Sequence, residues 1–509
     1  MAVFAFLCVQ AALILRGADT ATPAVSTAPT GAATAAALPT VTGASPRTKI
    51  ESSGLKHYVI TDYGAVADGT TKNTAAIQKA IDAAAAAGGG VVEIPAGTFV
   101  SGSIFLKQGA ELYLDEGAVL KGSEQIEDYP KLLTRIEGHF EPWRMALVNA
   151  QNMDRVRIEG KGQINGSGPV YWAAFARARA ADRNVTNLAV ERPRLMFIDR
   201  CQNVHIAGLA LQDSGLWNLH IYKSHDVLVE GLRINATGPS TDGMDIDSCQ
   251  DVTVLQCQIS VNDDDIALKG SKGPFADRDT DSPPVENILV QSCTIGNGGG
   301  LITCGSEATI IRDVLVRNCL MTGRATVLTL KLRTDTPQHY SNITLDGITL
   351  NGTGRLLNAS PWSQFFDLQG QTKLPAHRID NVTIRNVTGK YGQFGTLRGS
   401  VGDVLANITL ENFNITLSSP AFTLGPTENL ALNNVVVDGA PYVLPTPVAA
   451  APQRKIPAAP AGATAAANQN STATGAAGSQ NATAASAATT NAATTGNTTA
   501  TPSATPAGQ

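Results

Sequence analysis

The chain has 509 residues, with 38 basic and 43 acidic side chains and a formal net charge of −5. Charged residues make up 16% and aromatics 5%, against roughly 25% charged in an average globular protein. A near-neutral acidic balance without a basic stripe excludes a nucleic-acid partner, and 7 cysteines are too few for a disulfide scaffold. Beyond the N-terminus no run approaches the roughly 18 apolar residues of a membrane span.

Residues 2–15 (AVFAFLCVQAALIL) form an apolar run followed by Arg16 and small residues. This pattern predicts a signal peptide over 1–18, although no basic segment precedes it. A short buried helix is the alternative, but the Ala/Thr/Pro-rich stretch that follows, flexible over 19–55, offers it nothing to pack on. Next, NTAAIQKAIDAAAAA from Asn73 to Ala87 predicts an amphipathic helix with Ile77, Ala80, Ile81 and Ala84 on one face. Asn73 or Thr74 would cap it and Gly88 would stop it. Tyr129 to Met145 then forms a long segment containing Trp143 and Arg144.

From Asn203 onward an Asn/Asp-φ-x-φ-x pattern, φ being apolar, repeats nine times. It begins at Asn203, Asp226, Asp251, Asn287, Asp313, Asn342, Asn381, Asn407 and Asn429, with steps of 23, 25, 36, 26, 29, 39, 26 and 22 residues. A floor near one value with variable additions is the signature of a solenoid turn with loops at one edge. Each unit alternates like a short strand, and neither hairpin turns nor long helices join successive units. The fold class that remains is all-β, a single-stranded right-handed parallel β-helix. A solenoid end exposes its core, so the N-terminal helix is the expected cap. The β-helix domain is assigned to 56–445. Cys257, Cys293 and Cys319 share an offset and should stack, either as an inward ladder of thiols or with one pair bridged.

Carboxylates gather in two adjacent units, TDGMDID from Thr241 and NDDDIALK from Asn262. Asp242 and Asp264 are 22 residues apart, about one turn, while Asp263 sits at a bend. Matching Met244 to Ile266 places Asp247 beside Lys269, and offset counting puts Gly299 one rung from Asp263. One face then carries an acidic centre with Lys269, Lys331 and Arg333 around it. Asp and Gly also crowd turns for steric reasons. Several converging carboxylates, however, repel one another unless chemistry, a cation or salt bridges compensates, and close like charges raise at least one pKa.

TDGMDID, DDDIALKG at one-turn spacing, a Gly-rich GNGGG segment and TLKLRT together resemble glycoside hydrolase family 28, the polygalacturonases and their relatives. DYGAVADGTTKNTAAIQKAID resembles the start of pectin-active β-helix enzymes, and the likeness runs from about residue 57 to 440. The resemblance implies an inverting hydrolysis of pectic polysaccharide with Asp263 as general acid and Asp242 and Asp264 holding the water. Inverting geometry is expected to separate the carboxyls by roughly 6.5–9.5 Å. Two departures stand out. Gly298-Gly299-Gly300 replaces the family's Gly-His-Gly, and Thr329-Leu330-Lys331 keeps the Lys of Arg-Ile-Lys but loses the Arg. His220 is a substrate-binding candidate that would partly compensate, or else an ordinary strand histidine. Trp217 is a sugar-stacking candidate or core packing. If the missing imidazole is a deficit, Gly299→His should raise activity; if the site is rebuilt around glycine, it should not. The insertion at 129–145, with SVNDDDIALKG, is similar to that of members that are exo-acting or that cut decorated pectins; long loops at one end would block a groove.

Acid–base hydrolysis by carboxylates implies no cofactor and no metal. The expected partner is a pectic polysaccharide met by a secreted, extracellular monomer with no membrane anchor. The competing readings are a catalytically weak β-helix that binds cell-wall polysaccharide, a surface adhesin-like solenoid, and a lyase using Lys269 or Lys331. Residues 446–509 are almost entirely Ala, Thr, Ser, Asn, Gly, Gln and Pro, which predicts a disordered, O-glycosylated tail. N-x-S/T sequons at Asn165, Asn184, Asn235, Asn342, Asn351, Asn381, Asn386, Asn407 and Asn414, and at Asn470, Asn481 and Asn497, fit secretion; Asn358 begins another, but Pro361 follows it. Several of them coincide with the repeat.

Overall fold

A computed structural model describes residues 54–362 and 366–453. The signal-peptide reading, nearly all of the 19–55 segment and most of the tail lie outside the described residues. The ordered chain runs past the expected boundary at 445. Val448 N–H donates to the Leu424 carbonyl, and Ala451 bridges Gly399 and Val401.

The strands coil as a parallel β-helix with three faces. The repeat strands form one face, stacking from Gln202–Ala207 through His225–Glu230, Gln250–Leu255 and Val285–Gln291 in unbroken parallel register. A second face stacks Met196–Asp199, Leu219–Tyr222, Met244–Asp247, Ile266–Lys269, Gly300–Cys304, Thr326–Arg333 and Arg355–Trp362. Short strands such as Ala210–Gln212, Arg233–Asn235 and Gln258–Ser260 make the third. Alternating Val, Ile and Leu side chains point inward as one continuous core, which is what period-2 patterning dictates.

The first residue of each repeat has a specific reason to be Asn or Asp. All nine adopt a left-handed conformation, with φ from 52° at Asn203 to 59° at Asp226. Short polar side chains tolerate this region best after glycine. Their amides also form a ladder between rungs, with Asn342 Nδ2 donating to Asp313, Asn381 to Asn342 and Asn429 to Asn407. The coincidence of sequons with the repeat follows from this turn geometry.

Helix α1 (Thr74–Ala86) buries Ile77, Ala80, Ile81 and Ala84 against the first rungs. Asn73 precedes it but does not cap it with its side chain, which instead ties Val66 and Thr71 together. The described cysteines are free and buried. The Cys293 thiol touches those of Cys257 and Cys319, so the thiol ladder is the form present.

Two elements were not anticipated. Helix α2 (Gly168–Ala181) anchors Tyr171 and Phe175. Residues 131–144 form an antiparallel hairpin, Lys131–Ile136 with His139–Arg144, turning at Glu137 and Gly138, both at positive φ. Among the described residues no helix is long and apolar enough to cross a membrane.

Candidate active site

Strand alternation sends Met244, Ile246, Ile266 and Leu268 into the core and leaves Asp245, Asp247 and Lys269 on the outer side. Met244 pairs with Ile266 and Asp247 with Lys269, as hydrophobic register requires. Asp242 and Asp263–Asp264 precede these two strands on successive rungs. One carboxylate oxygen from each of Asp242, Asp263 and Asp264 lies within 4.8 Å of the others, so the three side chains converge. This is a closest approach of single oxygens, not a separation between carboxyl groups, and it is short. The cause is plain: two of the residues are adjacent, and the third is one rung away, about 4.8 Å.

The three carboxyls differ in environment. Lys331 Nζ lies 2.6 Å from Asp264 Oδ2, and Thr303 Oγ1 donates to Asp264 Oδ1 at 2.9 Å. Both oxygens of Asp264 therefore act as acceptors. Asp263 is the least buried of the three; burial and the neighbouring Asp264 raise its pKa. Asp242 is pushed well above the usual carboxylate range by burial and then by Asp245. Burial likewise lifts Asp245 to about 7. Lys269 Nζ lies 3.4 Å from both Asp242 Oδ2 and Asp245 Oδ1, one ammonium beside two carboxyl groups. These carboxylates outweigh burial and raise the Lys269 pKa. The spacing of the three aspartates is also one that could ligate a cation, but two lysines already supply their counter-charge.

A cleft of about 470 Å³ opens above Asp242 and Asp263. Trp217, Lys269, Lys331 and Arg333 line it, which brings four of the five substrate-binding candidates together. Lys269 sits 4.8 Å over the Trp217 ring. Trp217 also packs on Ile136 and Trp143, so it serves as both cleft wall and core. Arg333 is held by Asp335 at 2.7 Å and Glu307 at 3.4 Å.

His220 is the exception. It is fully buried, with Nδ1 accepting from Arg194 at 2.7 Å and Nε2 facing Asp247 at 3.4 Å. Burial lowers its pKa to about 3, so it is a neutral support behind Trp217, whose ring it meets edge-on. Assigning His220 to substrate binding is corrected: the hairpin residue Arg135, bound to Asp247, and Arg194 cover it.

Sequence reasoning passed over Asp245, Glu307, Thr303 and Trp362. Asp245 was legible, because it stands at the outward position two residues before Asp247. Trp362 belongs to a strand with no recognisable repeat signature, and Lys331 lies 4.6 Å over its ring. The hairpin contributes Glu137, at its turn, to the cleft lining. Its Glu137 pairs with Lys272 at 3.6 Å, and Gly138 packs against Glu307 and the Gly270 carbonyl.

The family described as glycosyl hydrolases family 28 matches residues 91–432, more than half of the chain. An exo-poly-alpha-D-galacturonosidase of Dickeya chrysanthemi is 30% identical over 307 residues, covering 52% of this chain and 50% of the relative. An endo-polygalacturonase of Pectobacterium carotovorum is 27% identical, covering 60% and 79%. The chain spans 60%, 58% and 50% of the length of three curated relatives that it matches. Among solved structures, an exopolygalacturonase from Thermotoga maritima superimposes with a TM-score of 0.64 at 23% identity, covering 76% of this chain and 92% of the other.

Proposed function

The chain belongs to glycosyl hydrolases family 28, and on that premise we propose that it is a secreted glycosidase removing units from the ends of pectic, galacturonan-type chains by an inverting acid–base reaction. The observation that carries this reading is the convergence of three aspartates in three different environments, two of which, Asp242 and Asp263, line the cleft. Asp263, raised in pKa and open to the cleft, holds the proton that passes to the departing glycosidic oxygen. Asp242 and Asp264 hold the attacking water. A water accepted by two oxygens at ordinary hydrogen-bond length and tetrahedral angle spans about 4.6 Å, which suits a spacing within 4.8 Å. The water's oxygen bonds to the anomeric carbon as the glycosidic bond breaks, and its proton goes to Asp242 or Asp264. Secretion rests on the apolar N-terminal run and the sequons. Exo action is proposed from the hairpin, whose turn residue Glu137 lines the cleft beside Lys272.

Asp263→Asn is expected to lower kcat on oligogalacturonate by at least ~10³-fold with an unchanged melting curve. Proton NMR of the first product should show the inverted anomer, and product sizing should show single units from the earliest times. A variant within tenfold of the parent overturns the acid assignment. Products absorbing in the ultraviolet would mean elimination rather than hydrolysis.

A further inference from the structure

Arg192 is a fully buried cation with no part in the chemistry described above. Its hydrogen-bond acceptors are neutral. Nη1 donates to the Pro239 carbonyl at 2.6 Å, and Nη2 to the Asn187 carbonyl at 3.2 Å and the Ser240 hydroxyl at 3.5 Å. The guanidinium carbon also lies 4.3 Å from the ring centroid of Phe175 on α2. We propose that Arg192 is a positioning residue for Asp242, its guanidinium tying the turn that delivers this carboxylate to a second segment of the cleft wall. The inference rests on the glycosidase reading and adds to it how one of the water-holding groups is kept in place.

The turn joins the strands Arg233–Asn235 and Met244–Asp247, and Ser240 within it stands at φ 57°. Pro239, Ser240 and Asp242 line the cleft, as do Thr186, Asn187 and Leu188, so Arg192 grips one carbonyl in each of two separate lining segments. The rung-to-rung ladder resumes only at Gly243, whose N–H donates to the Asp264 carbonyl at 2.8 Å. Thr241 Oγ1 closes the turn on the Gly238 carbonyl at 2.7 Å, and Trp172 of α2 packs under Gly238, where a Cβ would collide with its ring. Thr241 therefore fixes the shape of the turn, while Arg192 and Trp172 fix where it sits. A planar fork reaches two carbonyls at once, which a lysine ammonium on a single stem does not match. Burial lowers the Arg192 pKa to about 10, with the Glu137, Asp242 and Asp263 carboxylates acting the other way. The group stays charged at neutral pH and its hydrogen bonds are charge-assisted. A side chain needed only to fill space would not bring a costly buried charge to neutral partners.

The test is steady-state kinetics on oligogalacturonate for full-length Arg192→Lys and Gly238→Ala, with melting curves and crystal structures of both. Gly238→Ala pushes the same turn off Trp172 while leaving Arg192 intact, so it carries the test if the lysine variant does not fold. In each folded variant kcat is expected to fall about 10- to 100-fold, since a misplacement of roughly 1 Å costs on that order. KM should stay within about twofold, the sign of a group that acts in the transition state. The structures should show the Asp242 carboxylate displaced in an otherwise unchanged coil. A lowered melting temperature with undiminished kcat would make Arg192 a packing residue and overturn the inference. So would an Asp242 carboxylate found in its parental place. If the parent hydrolyses no oligogalacturonate, the glycosidase reading falls by itself; a displaced Asp242 in the variants then still upholds the positioning, and an unmoved one overturns it.

Discussion

Gly299 has no room to be anything else while Asp264 keeps its place. Asp264 is pinned through Oδ2 by Lys331 at 2.6 Å and through Oδ1 by Thr303 at 2.9 Å, and a Cβ at 299 would occupy the space of Oδ1. The carboxylate would have to swing away from one or both donors. A charge-assisted hydrogen bond is worth about 1.5–3 kcal/mol, so Gly299→Ala is expected to lower kcat by about 10- to 100-fold. The chain remains folded, because the backbone there is not in the left-handed region. Activity assays paired with thermal melts check this; an undiminished kcat would show that Asp264 relaxes at no cost. Of the two outcomes open for Gly299→His, this crowding favours the one in which the site is built around glycine. Only in three dimensions is it evident that the space a larger residue would need belongs to the carboxylate. Asp245 was legible as an outward residue, but its proximity to Asp242 was not: that depends on the bend before the strand, which has no period to read.

On the repeat face, the strand Gln202–Ala207 holds His205 between two glutamates, Glu159 Oε1 at 2.6 Å and Glu230 Oε1 at 3.0 Å. Burial opposes the imidazolium, but the Glu159 and Glu230 carboxylates overcome it and raise the His205 pKa. Arg157 and Glu111 complete the charged group around it. A folded pKa above the unfolded value of about 6.5 contributes stability that is fully present below that value. It is lost as pH rises through the folded pKa. Comparing melting temperatures of the parent and His205→Gln from pH 5 to 9 should show a gap widest at pH 5 that closes on the alkaline side. A gap independent of pH would mean that His205 acts by packing alone. Strands of this kind were legible because an Asn or Asp at the turn and two inward apolar residues recur at every rung. The hairpin was not. Its turn is Glu137-Gly138 rather than the usual Asn-Gly or Asp-Gly, and Pro142 interrupts its second strand. Helix α2 was missed because its buried anchors reduce to Tyr171 and Phe175, with Gly168 at its start. Too few apolar positions recur there to draw a stripe.

A solenoid carries its core to both ends, so its integrity as a whole depends on what closes them. At the far end, Tyr442 stacks on Phe394 with centroids 4.6 Å apart, and Phe394 packs on Phe422. At the near end, α1 covers the apolar interior with Ile77, Ala80, Ile81 and Ala84, each 0% exposed. The helix and its buried face were readable from the spacing of these four residues, because a 3.6-residue stripe beside a Gly stop is a local pattern. A second cavity, of about 370 Å³, is lined by Asp263 and Asp264 together with Arg324 and Arg355, and the convergence of these two arginines was not readable. They come from a turn and a strand start on different rungs, and the inserts between rungs vary in length. The cap makes a whole-molecule prediction. Ile81→Asp places a carboxylate where no partner exists, and burying it unpaired costs several kcal/mol. The helix should lift away rather than bury the charge, exposing apolar core next to open strand edges, a template for association. Ile81→Ala removes apolar contact without charge and should cost about 2–5 kcal/mol, while Lys79→Asp, on the exposed side of the same helix, should change little. Light scattering should then show concentration-dependent association for Ile81→Asp, with the other two monodisperse at moderate concentration. A monodisperse Ile81→Asp that melts with the parent would mean that α1 rests on the first rung without sealing it, and that the strand stack closes its own end.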